Sequence, residues 1–168
     1  MLALALAAML LLGLGGCGKK ENRAEPDVPA DLLSRSVVEV ADPERALEEI
    51  YQDVTVEDLY DADDETLMEK FFIDPAMLES YQVRYASGRY GVADVFILQP
   101  FEEDLPQVRE QLEQVKLNRA REFENYDIYN AHQIAQEAPI FEQGGYLVIL
   151  MLEDAEAARR VIDQYIPK

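Results

Sequence analysis

Residues 140–162 read IFEQGGYLVILMLEDAEAARRVI, and this stretch decides the fold. Pro139 to Glu142 is short and opens on a proline, which cannot donate to a ladder and so suits an edge strand. Gly144-Gly145 can supply the positive φ angles of a two-residue hairpin turn. Tyr146 to Leu152 is then apolar at every position, so both of its faces need cover and the strand must be central. After Glu153-Asp154, Ala155 to Ile166 places Ala158, Val161, Ile162 and Tyr165 at helical spacing, which predicts a closing helix.

The same order occurs upstream. Tyr81, Val83 and Tyr85 alternate with Gln82 and Arg84, the pattern of an edge strand with one buried face. Ser87 to Gly91 makes a turn, and Val92 to Leu98 is a second central strand that Pro100 ends. Behind Glu102-Glu103-Asp104 runs a long helix with Leu105, Val108, Leu112, Val115 and Phe123 as its stripe. A further helix, Ile128 to Ala135, is broken from it near Asn125-Tyr126-Asp127. The shared order is either an internal repeat or what any such unit requires. Toward the N-terminus, Asp42-Pro43 starts a helix carrying Leu47, Ile50, Tyr51 and Val54. Asp63-Asp64 starts another with Leu67, Met68, Phe71 and Phe72, and Asp74-Pro75 starts a short helix ending near Tyr81. The expectation is a single α+β domain over residues 42–168. It has a four-stranded, largely antiparallel sheet built from two strand-strand-helix units. The long helix and the last helix cover one face; N-terminal helices, or a partner chain, cover the other.

The first 41 residues are of another kind. Leu2 to Leu14 is an apolar run too short to span a membrane and of the length of a signal-peptide hydrophobic region. It ends in Leu14-Gly15-Gly16-Cys17, which resembles the lipobox of bacterial lipoproteins. That resemblance implies cleavage before Cys17, a diacylglyceryl thioether on its thiol and acylation of the new amine. The basic residue expected between Met1 and the run is missing, which a start codon assigned too late would explain. Residues 1–16 are thus read as a signal peptide and 17–41 as a lipidated N-terminus and tether. Two or three acyl chains hold stably at about 0.8 kcal/mol per buried methylene. Lys19, Lys20 and Arg23 sit where bases can gain about 1 kcal/mol each against anionic headgroups, although a solvated linker is the plainer reading.

Phe72-Ile73-Asp74-Pro75, Tyr81, Val95-Phe96-Ile97, Tyr126 and Gly145-Tyr146-Leu147-Val148 together resemble a family of short lipoproteins, mostly from Gram-positive bacteria, classed as a domain of unknown function. The likeness runs from about Leu47 to Ile166. A glycine common in that family just before the Ile-Asp-Pro run is Phe72 here. The resemblance implies a location and a fold and transfers no catalytic residue.

The charge balance narrows the chemistry. In 168 residues, 34 acidic side chains face 15 Lys and Arg, a net charge of -19. Such a surface repels phosphate backbones and argues against nucleic acid as a partner. The one cysteine is taken by the leader, leaving the domain no disulfide, thiol nucleophile or Cys-based metal site. Asp42 to Glu65 holds 11 acidic residues against Arg45. Read as an EF-hand loop from Asp61, it has Asp63 and Glu65 in place but Thr66 where glycine is needed and Phe72 where the bidentate Glu belongs, so it fails. Helix caps and a solvated face explain it more simply. Asp94 and Glu142 are the strand-associated carboxylates available to a paired hydrolytic mechanism, and nothing in sequence marks them. His132, the only histidine, reads as a surface residue, and Ser80 and Ser87 lack a nucleophile-elbow setting. Tyr90, Tyr126 and Tyr129 fall in or near loops, where an aromatic can bind sugar or protein or simply pack at the edge of the core.

The sequence therefore predicts a lipid-anchored protein on the extracytoplasmic face of the cell membrane. Its partners are the membrane, through Cys17, and an envelope protein or ligand it does not identify. No catalytic residue, metal ligand or cofactor is assigned. An envelope hydrolase using paired carboxylates and a weakly divalent-responsive protein are the alternatives.

Overall fold

The computed structural model describes residues 40–168. The predicted signal peptide, its Leu14-Gly15-Gly16 motif, Cys17 and the tether to residue 39 lie outside the described residues.

The sheet has five strands rather than four: β1 (Leu59–Asp61), β2 (Leu78–Ala86), β3 (Asp94–Pro100), β4 (Ile140–Gln143) and β5 (Tyr146–Met151). Their order is β1-β2-β3-β5-β4, and every neighbouring pair is antiparallel. The strand missed in sequence is β1. Three residues are too few to show alternation, and this strand is registered by pairing outside itself: Leu59 opposes Ala86, Tyr60 opposes Tyr85 and Asp61 opposes Arg84. The Arg84 guanidinium holds the Asp61 carboxylate with Nε 2.6 Å away. Because β1 pairs there, β2 is an interior strand and not the edge expected from Tyr81, Val83 and Tyr85. It also starts earlier, at Leu78, so Asp74-Pro75 opens only a single 3-10 turn, Pro75–Met77, in place of a helix reaching Tyr81.

The helices are α1 (Pro43–Ile50), α2 (Asp64–Glu69), α3 (Leu105–Phe123), α4 (Ala131–Glu137) and α5 (Ala155–Tyr165). Aspartate side chains cap three of them, each accepting a backbone N–H that the first turn leaves unpaired. Asp42 takes Arg45 N–H at 3.1 Å, Asp63 takes Thr66 N–H at 2.9 Å and Asp154 takes Ala157 N–H at 2.8 Å.

Side-chain alternation sorts these helices into two layers. Phe96, Leu98, Leu147, Ile149 and Met151 point to one face, where α2, α3 and α4 bring Leu67, Val108, Leu112, Val115 and Ala135. Val95, Ile97, Val148 and Leu150 point to the other, with Ala46, Leu47 and Ile50 of α1 and Ala158 and Ile162 of α5. The long helix and the last helix therefore lie on opposite faces, which corrects the expectation that they share one. The correction also removes the repeat. In β2-β3-β5-β4 the two hairpins are exchanged by a twofold axis normal to the sheet, and such an axis would keep both helices on one side. The common order of the two units reflects what a strand-strand-helix unit needs.

The hairpin between β4 and β5 turns as its two glycines require, with φ of 56° at Gly144 and 83° at Gly145. Gly144 has a second constraint. A Cβ there would stand 2.5 Å from the Pro167 carbonyl oxygen, so the chain's last residues pack onto the turn. No helix among the described residues is long and apolar enough to cross a membrane.

Candidate functional site

One end of the sheet, where β2 leaves and β3 enters, is built around a buried ion pair. Asp94 is the first residue of β3, and Arg119 stands at the next turn of the α3 stripe after Val115. Their exposures are 0% and 1%. Arg119 Nε donates to Asp94 at 2.6 Å and Nη2 donates at 3.1 Å to the other carboxylate oxygen. The same Nη2 donates to the Ala86 carbonyl at 3.1 Å, and Asp94 accepts the Ala86 N–H at 2.9 Å. Nη1 reaches the half-exposed Glu122 carboxylate. Both backbone groups of Ala86 are thus held by the pair, and Ala86 is the last residue before the turn to β3.

Burial pushes the Asp94 carboxyl above its ordinary value, against the pull of Arg119 and the Ala86 amide. Burial acts on Arg119 in the opposite sense, toward the neutral form, but Asp94 and Glu122 outweigh it and hold the guanidinium protonated. Tyr51, following α1, fixes the other side of the crossing: its hydroxyl lies 2.9 Å from the Arg84 carbonyl and 2.8 Å from the Ala93 carbonyl. Burial first, then Asp94, pushes that phenol well above its usual range.

On this base sits the turn 87–92. Gly88 and Gly91 have φ of 92° and 106° and bridge each other across it. The ring of Tyr129 closes over Gly91, where an added Cβ would lie 3.8 Å from it. Tyr129 and Asn130 are themselves both left-handed, at φ 52° and 59°. Asparagine tolerates that region, whereas a bulky aromatic there is strained. Between Tyr90, Tyr129 and the segment Thr55–Glu57 opens a groove of about 510 Å³, floored by Val92 and Ile134 and closed at one side by Glu153.

Two further grooves reach the same point. One of about 620 Å³ runs between Glu49–Val56 and α5, and one of about 350 Å³ runs along α4 toward Pro139. Glu153 lines all three. Six carboxylates line them together, those of Glu49, Asp53, Glu57, Glu137, Glu153 and Asp154, and no Lys or Arg does. Arg89 lies over the Tyr90 ring, 5.4 Å from its centroid, without lining the groove.

The residues considered in sequence fall as follows. Tyr90 and Tyr129 meet in the groove, while Tyr126, 74% exposed, does not line it. Asp94 is not an available carboxylate, being locked to Arg119. Glu142 is tied to Arg109 on the edge strand. Asp94 opposes Met151 and Glu142 opposes Leu147, four residues apart along β5, or about 13 Å. The two do not form a pair. His132 is half-buried, and its Nδ1 donates to the Ala120 carbonyl at 2.9 Å, tying α4 to α3.

Five carboxylates of the acidic stretch 42–65 are employed in folding. Asp42 and Asp63 cap helices, Glu48 and Asp61 hold Arg84, and Asp64 accepts the Tyr81 hydroxyl at 2.6 Å. The Thr66 hydroxyl and amide hold the Asp63 carboxyl below its usual value. Burial and then Asp64 push the Tyr81 phenol up to about 12. Among the described residues no three His, Cys, Asp or Glu side chains converge in a way that could hold a metal ion. Arg119 is the functional-site residue that sequence reading missed. Its signal was a lone charge at an apolar position of the α3 stripe.

A family model described as Domain of unknown function (DUF4358) matches residues 52–152. The chain belongs to this family. Neither the curated proteins nor the solved structures contain a match. The DUF4358 match takes in all five strands and the α2–α4 layer and stops short of α1 and α5. It contains the ion pair, the turn 87–92 and every residue named in the tyrosine groove except Glu153, one position beyond it.

Proposed function

We propose that this protein is a lipoprotein held on the extracytoplasmic face of the membrane through Cys17, and that its domain is a non-catalytic binding module whose contact surface is the groove at Tyr90 and Tyr129. The anchoring half is supported by the apolar run Leu2–Leu14 ending in Leu14-Gly15-Gly16-Cys17. The observation that carries the binding half is the strained left-handed Tyr129, an 80% exposed tyrosine set at the rim of a groove instead of packed away. Left-handed aromatic residues cost free energy and persist where the surrounding structure holds them, commonly at binding sites. A hydrolase with Asp94 and Glu142 as its carboxylates is disfavoured, because each is bound by an arginine and they lie far apart.

The two halves are tested separately. Cys17→Ser should leave the chain unprocessed or release it from the membrane fraction; a mature, lipid-labelled, membrane-bound variant would refute the anchor. For the module, photo-crosslinkers placed at Tyr129 and at Glu113 on the far part of α3 are compared in cells producing the anchored protein. Capture at Tyr129 and not at Glu113 is the expected outcome, and turnover of a wall polymer by the purified protein would overturn the non-catalytic reading.

A further inference from the structure

The three grooves that meet at Glu153 combine concavity, a one-sided charge and an apolar floor. Val56, Ile134 and Leu152 supply the floor, and Tyr129 supplies an aromatic face, the Tyr90 ring being already paired with Arg89. Of the carboxylates around them, Glu49 accepts the Tyr165 hydroxyl, Asp154 caps α5 and Glu137 accepts Gln133. Asp53, Glu57 and Glu153 make no ion pair among the described residues. They project into concave, partly apolar space on a chain of net charge -19. Clefts lined by one sign of charge focus the field and concentrate counter-ions of the other sign. Aromatic faces next to carboxylates suit ammonium and guanidinium groups in particular, which gain from the ring quadrupole as well as from the charge.

Shape decides among cationic ligands. A bare cation has no use for the apolar floor. A linear polyamine satisfies the carboxylates but carries no aliphatic side chains for the apolar floor. A peptide carries both, with cationic ends on the carboxylates and aliphatic side chains on the floor. We propose that the junction at Glu153 binds a segment of a partner protein in which Lys or Arg alternates with aliphatic residues. This deepens the binding-module reading and rests on it. The ion pair Asp94–Arg119 is then a positioning device. It clamps Ala86 and so sets the turn that carries Tyr90 and Gly91.

The test uses the full chain in detergent micelles and a short synthetic peptide alternating lysine with valine, its binding followed by backbone amide shifts and by titration calorimetry. Shifts should concentrate at residues 53–57, 88–92, 128–134 and 152–154. Glu153→Gln and Tyr129→Ala should each weaken binding about tenfold, the size expected of one charge-assisted contact or one desolvated cation–aromatic contact. Glu110→Gln, an equal loss of charge on the exposed side of α3, should change affinity less than about twofold.

The proposal fails if Glu110→Gln weakens binding as much as Glu153→Gln, which would mean bulk attraction only. It also fails if spermine competes with equal affinity, or if a glutamate–valine peptide binds as well. Failure here is separable from failure of the binding module itself. Crosslinks captured in cells at Tyr129 without peptide binding leave the module standing with a different ligand; neither crosslinks nor peptide binding removes both.

Discussion

Arg119 is the largest side chain that the domain buries completely, and it lies in a helix stripe otherwise made of Val, Leu, Ala and Phe. A buried ion pair is a weak source of net stability, since taking both charges out of water offsets most of their attraction. Breaking one is costly, because the remaining charge has nowhere to go. Arg119→Met should therefore destabilise the domain by about 3–5 kcal/mol at neutral pH. Asp94→Asn combined with Arg119→Met should recover part of that loss, which denaturant unfolding of both variants would measure. The single variant also has a predictable pH dependence. With Arg119 gone, burial of Asp94 is opposed only by one amide, so its folded pKa rises further above the ordinary 3.8. The folded state then keeps a proton that the unfolded chain releases. That contribution is complete below the unfolded pKa and is lost as pH rises through the folded one. Relative to the parent, Arg119→Met should be more stable in mildly acid than in mildly alkaline buffer. An equal deficit at both would mean that Asp94 is solvated in the variant.

At the scale of elements, the long and patterned ones were legible and the short ones were not. Tyr146–Met151 and the β4–β5 hairpin follow from continuous apolarity and a Gly-Gly pair, and α3 from its stripe. β1 was illegible because its identity is set by Tyr85 and Arg84 on the neighbouring strand. The turn after Asp74-Pro75 resembles a helix in sequence because cap signals mark a start without fixing a length. The end of α2 shows the same limit at a single position. Phe72 has φ 56° and is 66% exposed, and this kink lets the Ile73 amide return to the Leu67 carbonyl at 2.9 Å. The family resemblance had glycine there. A left-handed conformation costs an L-residue about 1–2 kcal/mol, while glycine is freer in the unfolded chain, so the two effects partly cancel. Phe72→Gly should stabilise the domain by about 0.5–1 kcal/mol. A lowered denaturation midpoint would instead mean that the exposed ring makes a contact worth more than the strain.

The molecule as a whole depends on elements that lie outside the stretch matched by the family model. The match to residues 52–152 includes the sheet but omits α1 and α5, the helices that cover Val95, Ile97, Val148 and Leu150. Those four side chains are 0% exposed. Burying one aliphatic side chain contributes about 1.5–3 kcal/mol, so uncovering four costs about 6–12 kcal/mol. That is the size of a typical domain's entire stability. The two helices also depend on each other: the Asp42 amide donates to the Tyr165 carbonyl at 2.9 Å, and Tyr165 bonds Glu49. A chain cut to residues 52–152 should accordingly lose cooperative thermal unfolding and elute in size-exclusion chromatography as an associated species, its bare sheet face seeking another. Residues 42–168 should remain monomeric and unfold in one transition. A monomeric, cooperatively folding 52–152 would show that the face bearing Val95 and Val148 does not need α1 and α5. It would also place the stability of the tyrosine groove entirely in the layer that Arg119 holds to the sheet.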